Sequence, residues 1–221
     1  DDIYVRMIAF SNGEETFLFG SFEESNGTDA LKDAITERYK IPYKNQMFCQ
    51  IHNHGGIQTT TVMKEGRSQK KNHNYTENQY RMGTMIYEKA LEAAGEALQN
   101  MVPAKWGYGT GKSYINVNRD YPNEDGYWSQ IDNYDGPSDK TLSVIKFTDD
   151  EDRLIAAVLN YSAHAITTIG AKDRDGKIKV SGDFPGFTCG RLEEEYPGAV
   201  VMWTSGAAGD QNAICCFKGE K

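Results

Sequence analysis

The sequence has no run of 18 or more apolar residues, so no segment reads as a membrane-spanning helix. Cysteine is scarce: Cys49, Cys189, Cys215 and Cys216 are the only four in 221 residues. None of them form a Cys-x-x-Cys pair, which removes zinc knuckles and thioredoxin-type redox motifs. Cys49 lies in the apolar run Met47-Phe48-Cys49-Gln50-Ile51, where cysteine acts as a small hydrophobe. A Cys–His hydrolase needs an exposed, activated thiol, and Cys49 does not offer one. Positive charge is also short. Twenty-four basic residues against 32 acidic ones leave a net charge of −8, which argues against a nucleic-acid partner. There is no Gly-x-Ser-x-Gly elbow, and the segment Gly107-Tyr108-Gly109-Thr110-Gly111-Lys112-Ser113 is too short for a Walker-type phosphate loop. No internal repeat or low-complexity tract is present. Neither an initiator Met nor a signal-peptide pattern precedes Asp1, so the segment is expected to be trimmed or excerpted. Unpaired cysteines suit the cytoplasm without excluding export.

The chain has 38% hydrophobic and 25% charged residues, a composition that folds, and a length that suits one large domain. Two strand-like runs, residues 3–10 and 16–19, flank Asn12-Gly13 and predict a hairpin. A helix is expected from a Thr28 cap to Tyr39, with Leu31, Ile35 and Tyr39 on one face. Residues 46–51 read as a short buried strand and 55–74 as a long polar loop. Thr76-Glu77-Asn78-Gln79 matches a capping box ahead of a helix to about residue 101, whose apolar face is read as Tyr80, Thr84, Tyr87, Leu91, Ala94, Leu98 and Met101. Residues 106–111 read as a flexible, glycine-punctuated stretch. Strands are expected at 142–147, 154–159 and 200–203, and a helix behind an Asp183 cap with Pro185 in its first turn. Mixed strands and helices predict an α/β fold: a mixed β-sheet core covered by helices in a single layered domain.

Candidate chemistry concentrates on histidine. His52 and His54 form His-x-His at a strand end, and period-two alternation would put both on one face, within reach of one metal or one substrate. His164 follows a different strand, and such strand ends are where α/β sheets build their sites. A catalytic zinc takes three protein ligands and keeps one position open, although a buried polar residue is more often a satisfied core group. His73, among lysines in the polar loop, reads as solvated. Arg119, after the glycine-rich stretch, is either a surface ion pair or a fork for a developing oxyanion. Ser181-Gly182-Asp183 reads first as a helix cap. Gly206-Ala207-Ala208-Gly209-Asp210 is either a plain turn or a loop that lets a ligand approach the backbone.

Taken in order, these pieces resemble the neutral/alkaline non-lysosomal ceramidase family, with the likeness strongest to its short bacterial members. Gln50-Ile51-His52-Asn53-His54-Gly55-Gly56 resembles the family's THTHSGP segment, and Tyr108-Gly109 through Asn118-Arg119 its G…NR segment. Asn160-Tyr161-Ser162-Ala163-His164-Ala165 resembles the stretch carrying its second zinc histidine. Ser181-Gly182-Asp183-Phe184-Pro185-Gly186 resembles SGDNKG, and Gly206 to Asp210 resembles the GDVSPN region.

The resemblance implies that residues 1–221 are an N-terminal catalytic domain, incomplete at both ends, that uses a metal-activated water to cleave an N-acyl amide. It implies one zinc ion with His52 and His164 as ligands, and His54 beside the metal to hold substrate or shuttle a proton. Arg119 would bind substrate oxygen near the reacting carbonyl. Asp183, Gly209, Asp210 and Asn212 would make up the substrate side, and the partner would be a small N-acyl molecule. The family's other zinc ligands, a Glu and a Tyr, lie downstream of the matched region. Asn212 stands where GDVSPN has serine, and Gly55-Gly56-Ile57 replaces SGP. An alternative implication is a non-catalytic ceramidase-like protein that binds a ligand without a complete metal site.

Overall fold

The computed structural model describes residues 2–24, 29–57 and 76–214. Strand β1 (Val5–Ser11) pairs antiparallel with β2 (Thr16–Phe22), Ser11 facing Thr16. The Asn-Gly signal opens a four-residue connection rather than a two-residue one. Asn12 Oδ1 accepts from the backbone N–H groups of Glu14 and Glu15 at 3.0 and 2.8 Å, and Gly13 takes the left-handed φ of 92°. Helix α1 (Asp29–Tyr39) buries Leu31 and Ile35; the expected Thr28 cap lies outside the described residues. Strand β3 (Gln46–Gln50) then adds parallel to β2. Helix α2 (Glu77–Gln99) starts with the expected capping box, with Thr76 and Gln79 bonded reciprocally.

The other strands are β4 (Lys105–Lys112), β5 (Asn116–Pro122), β6 (Trp128–Asn133), β7 (Thr141–Thr148), β8 (Leu154–Tyr161), β9 (Val200–Ser205) and β10 (Gln211–Ala213), with helix α3 (Asp183–Glu195) ahead of β9. They form an α/β fold with the strands divided among three sheets, in the orders β1-β2-β3, β4-β7-β8-β9 and β10-β5-β6. The β1-β2-β3 and β4-β7-β8-β9 sheets stack, and alternation along each strand sorts the layers. Met7, Leu18 and Phe22 face α1 and α2, where they pack with Ile35, Ile86 and Ala90. Ile8 and Phe19 face the second sheet and meet Ala156, Val158 and Met202. Ala157, Leu159, Val201 and Trp203 face the other way, toward Phe184, Cys189 and Leu192 of α3. Helices therefore cover the two outer faces of a two-sheet stack. Strands β8 and β9 are buried on both faces, which is why Leu154–Tyr161 and Val200–Ser205 read as nearly continuous apolar runs.

Several sequence expectations need correction. Residues 106–111 are not a flexible stretch but most of edge strand β4, whose aromatic–glycine alternation fits the pleat. Asn116 to Arg119 opens strand β5. On α2 the most buried stripe is Gly83, Ile86, Ala90, Ala94 and Gly95, rotated from the expected face, and Met101 lies beyond the helix and is exposed. Small residues win there because α1 approaches closely: a Cβ on Gly95 would stand 2.4 Å from the Tyr39 hydroxyl. Gly182, not Asp183, is the N-cap residue of α3.

The carboxyl ends of β3, β8 and β9 gather at one place. Tyr161 pairs with Ser205 in the parallel β8–β9 ladder, and Ser205 Oγ donates to the Ile51 carbonyl at 3.0 Å. Behind them lies a buried ionic group. Arg6 donates to Glu23, and its Nε donates to Glu193 at 2.8 Å, while Gly182 and Gly186 leave room for the Glu23 carboxylate.

Candidate metal centre

Three histidines converge beyond those strand ends. Strand β3 stops at Gln50, and His52 takes the left-handed φ of 58°. The period-two argument for His52 and His54 therefore does not apply, because the strand has already ended. A tight turn brings the rings together instead, with centroids 4.8 Å apart. His164 arrives from the end of β8, its ring 4.7 Å from His52 and 5.3 Å from His54. One ring nitrogen from each of the three lies within 4.8 Å of the others.

His164 is buried and held at two points. Its backbone N–H donates to the Gln211 carbonyl at 2.8 Å, and it forms a parallel bridge with Asn212. Its Nδ1 lies 2.6 Å from the Ala208 carbonyl. A carbonyl only accepts, so Nδ1 carries the proton and Nε2 is left as the lone-pair nitrogen. His52 and His54 are exposed, and the His54 N–H donates to the Ala165 carbonyl at 2.9 Å. Burial lowers the His164 pKa against the pull of the Ala208 carbonyl, and nearby Arg119, His52 and His54 lower it further. Desolvation also lowers His54, helped by His52 and Arg119 and opposed by Asp183. Lowered imidazoles stay neutral, and neutral imidazole is the form that binds metal.

The other expected residues surround this cluster. Arg119 on β5 donates from Nε to the Gly209 carbonyl at 2.9 Å and from Nη1 to Asn212 Oδ1 at 3.3 Å, and its backbone N–H donates to the Asp210 carbonyl. Among the described residues no carboxylate forms an ion pair with Arg119, so the ion-pair reading does not apply. Asn212 is fully buried, and its Nδ2 has no hydrogen-bond partner among the described residues. Asp210 Oδ2 accepts from Asn118 Nδ2 at 3.1 Å. Asp183 is fully buried with a φ of 54°. Its oxygens accept from the Thr167 and Thr168 hydroxyls and from the Thr168 and Phe184 N–H groups. His73, Cys215 and Cys216 lie outside the described residues.

Sequence reasoning missed the residues that hold the site: Asn53, the Ala208 carbonyl, Asn118, and the Thr167–Thr168 pair. Asn53 alone carried a signal, since an asparagine ahead of a glycine pair is a turn former.

No protein-family model matches the chain, and no curated protein matches it. Solved structures do. A neutral ceramidase from Pseudomonas aeruginosa superposes with a TM-score of 0.66 at 18% identity, over 94% of this chain and 33% of that one. The chain shares its fold with the neutral ceramidases. A ceramidase complexed with C2 gives a TM-score of 0.68 at 16% identity, over 92% of this chain and 31% of the ceramidase. The chain thus spans about a third of the length of these ceramidases.

The donor set fits the zinc that the ceramidase resemblance implies. Imidazole is a preferred zinc ligand, and three imidazole nitrogens lie together. The Ala208 contact aligns one of them as metal sites require.

Proposed function

We infer that this chain carries the metal-binding half of an active site that hydrolyses an N-acyl amide, as its ceramidase resemblance implies. The observation behind the reading is the convergence of His52, His54 and His164 from two segments more than a hundred residues apart, with the His164 tautomer set by Ala208. His52 and His164 would hold a single zinc ion. Zinc bound there would lower the pKa of a water and polarise the amide carbonyl.

The remaining work falls to the chain's own side chains. His54, neutral through desolvation, accepts a proton on a ring nitrogen and returns it to the leaving amine. Arg119 is braced by Gly209 and Asn212, which leaves Nη2 for a substrate oxygen whose charge grows as the carbonyl is attacked. The Asn212 Nδ2 group offers a second donor from a buried position. Gly209 and Asp210 shape the substrate side by holding Arg119 in place. Asp183 acts through Thr167 and Thr168, because its own oxygens are occupied.

The test measures zinc per chain by elemental analysis after loading, together with hydrolysis of a short-chain N-acylsphingosine. One zinc per chain and measurable amine release support the reading. A protein that takes up no zinc contradicts it. A second reading has a specific observation in its favour: among the described residues the cluster contains no carboxylate, and Asn212 replaces a family serine. On that reading the site binds an N-acyl ligand without cleaving it, and zinc uptake without turnover is the result that selects it.

A further inference from the structure

The His-x-His turn is held by its middle residue. Asn53 is buried between two exposed histidines. Its Nδ2 donates to the Glu23 carbonyl at 2.9 Å and to the Ser181 carbonyl at 2.5 Å, and its Oδ1 accepts from the Gly55 N–H at 2.8 Å. One amide thus ties together the end of β2, the start of α3 and the turn itself. No other residue type supplies two donors and an acceptor at that reach and size. The arrangement is also crowded on one side: a Cβ on Gly55 would stand 2.2 Å from Thr168 Oγ1, and Thr168 is bonded to Asp183. His52, on the preceding position, sits in a left-handed conformation that non-glycine residues adopt only where their surroundings enforce it.

We propose that Asn53 is a positioning residue for the metal centre: its three hydrogen bonds fix the turn that aims His52 and His54 at His164. The proposal rests on the metal-site reading for its functional consequence and on the geometry for its structural one. The residue touches neither metal nor substrate, and it acts only through the rings on either side.

The test compares Asn53→Ala and Asn53→Asp with Ser21→Ala in the intact protein. Ser21→Ala removes a buried hydrogen bond to the Trp203 carbonyl and serves as a control for lost stability. Asn53→Asp keeps the acceptor for Gly55 and removes both donors. Zinc affinity is read by competition with a chromogenic chelator, metal-free stability by urea unfolding, and backbone order by amide hydrogen exchange at His54. Both Asn53 variants are expected to lose zinc affinity by about 10–100-fold, the range for residues that orient metal ligands, while Ser21→Ala stays within about twofold. The His54 amide, bonded to Ala165, is expected to exchange faster in the Asn53 variants only. Wild-type zinc affinity in both Asn53 variants overturns the proposal, as does a loss matched by Ser21→Ala. Should the wild-type protein take no zinc, the functional reading fails and the exchange data decide this one: unchanged His54 protection in Asn53→Ala overturns it, and faster exchange upholds it.

Discussion

The two sides of the histidine cluster are built differently. His164 sits at the end of a doubly buried strand, is itself buried, and has its backbone and one ring nitrogen bonded to the 206–213 segment. His52 and His54 present exposed rings from a turn whose order comes from Asn53 and from the backbone bonds of His54 to Ala165 and of Gly55 to Ser181. One side inherits its geometry from the core, and the other from a few polar contacts. Replacing the buried ring should therefore disturb stability and metal together, whereas replacing an exposed ring should disturb metal alone.

The largest contrast is between His164→Ala and His52→Ala. Both should abolish stoichiometric zinc. His164→Ala should also destabilise the metal-free protein by about 1–3 kcal/mol, because it removes a buried side chain together with its hydrogen bond to the Ala208 carbonyl. His52→Ala should stay within about 0.5 kcal/mol, the usual range for an exposed side chain. Elemental analysis and urea unfolding read the two effects, and equal destabilisation by both would erase the distinction between the sides.

A smaller contrast uses glycine. In Gly55→Ala the new methyl group meets Thr168 Oγ1, which Asp183 holds in place; in Gly206→Ala it meets Ser162 Oγ at 2.5 Å, the end of a short side chain that can rotate. Overpacking costs about 1–3 kcal/mol. The Gly55 variant should fall toward the upper end and lose zinc affinity, and the Gly206 variant toward the lower end. The reverse order would show the Ser162 side chain to be less able to yield than Thr168.

The smallest effect is on pH dependence. Both His54 and His164 are held below the ordinary imidazole value of 6.5, chiefly by desolvation. The unfolded chain therefore binds protons that the folded, metal-free protein refuses. Stability should be flat above that value and decline as the pH falls below it toward the folded values. His164→Ala should make the decline shallower than in wild type. Urea midpoints measured from about pH 7.5 to about pH 5 test this, and an unchanged midpoint across the range would contradict it.

Much of the fold was legible because it rests on local patterns. The Thr76 capping box, the Asn12-Gly13 turn and the apolar runs of β8 and β9 all appear where their residues place them. Strand β4 was not legible, since glycine at alternate positions mimics a loop when no partner strand is in view. Strands β6 and β10 are short and polar, and each exists through pairing with β5. At the site, the histidines were legible by type and by their place at strand ends. Their supports were not: Ala208 acts through a backbone carbonyl, and Asn53 through partners 30 and 128 residues away. Asp183 read as a helix cap because Ser-Gly-Asp is a capping sequence; burial and the two threonines give it a different place.

The most direct measurement is an anomalous difference map from crystals of zinc-loaded protein, recorded on both sides of the zinc absorption edge. A single peak bonded to ring nitrogens of His52 and His164, with His54 beside it, is the predicted result. A map with no peak at that cluster, or with the strongest peak elsewhere in the molecule, would contradict the account.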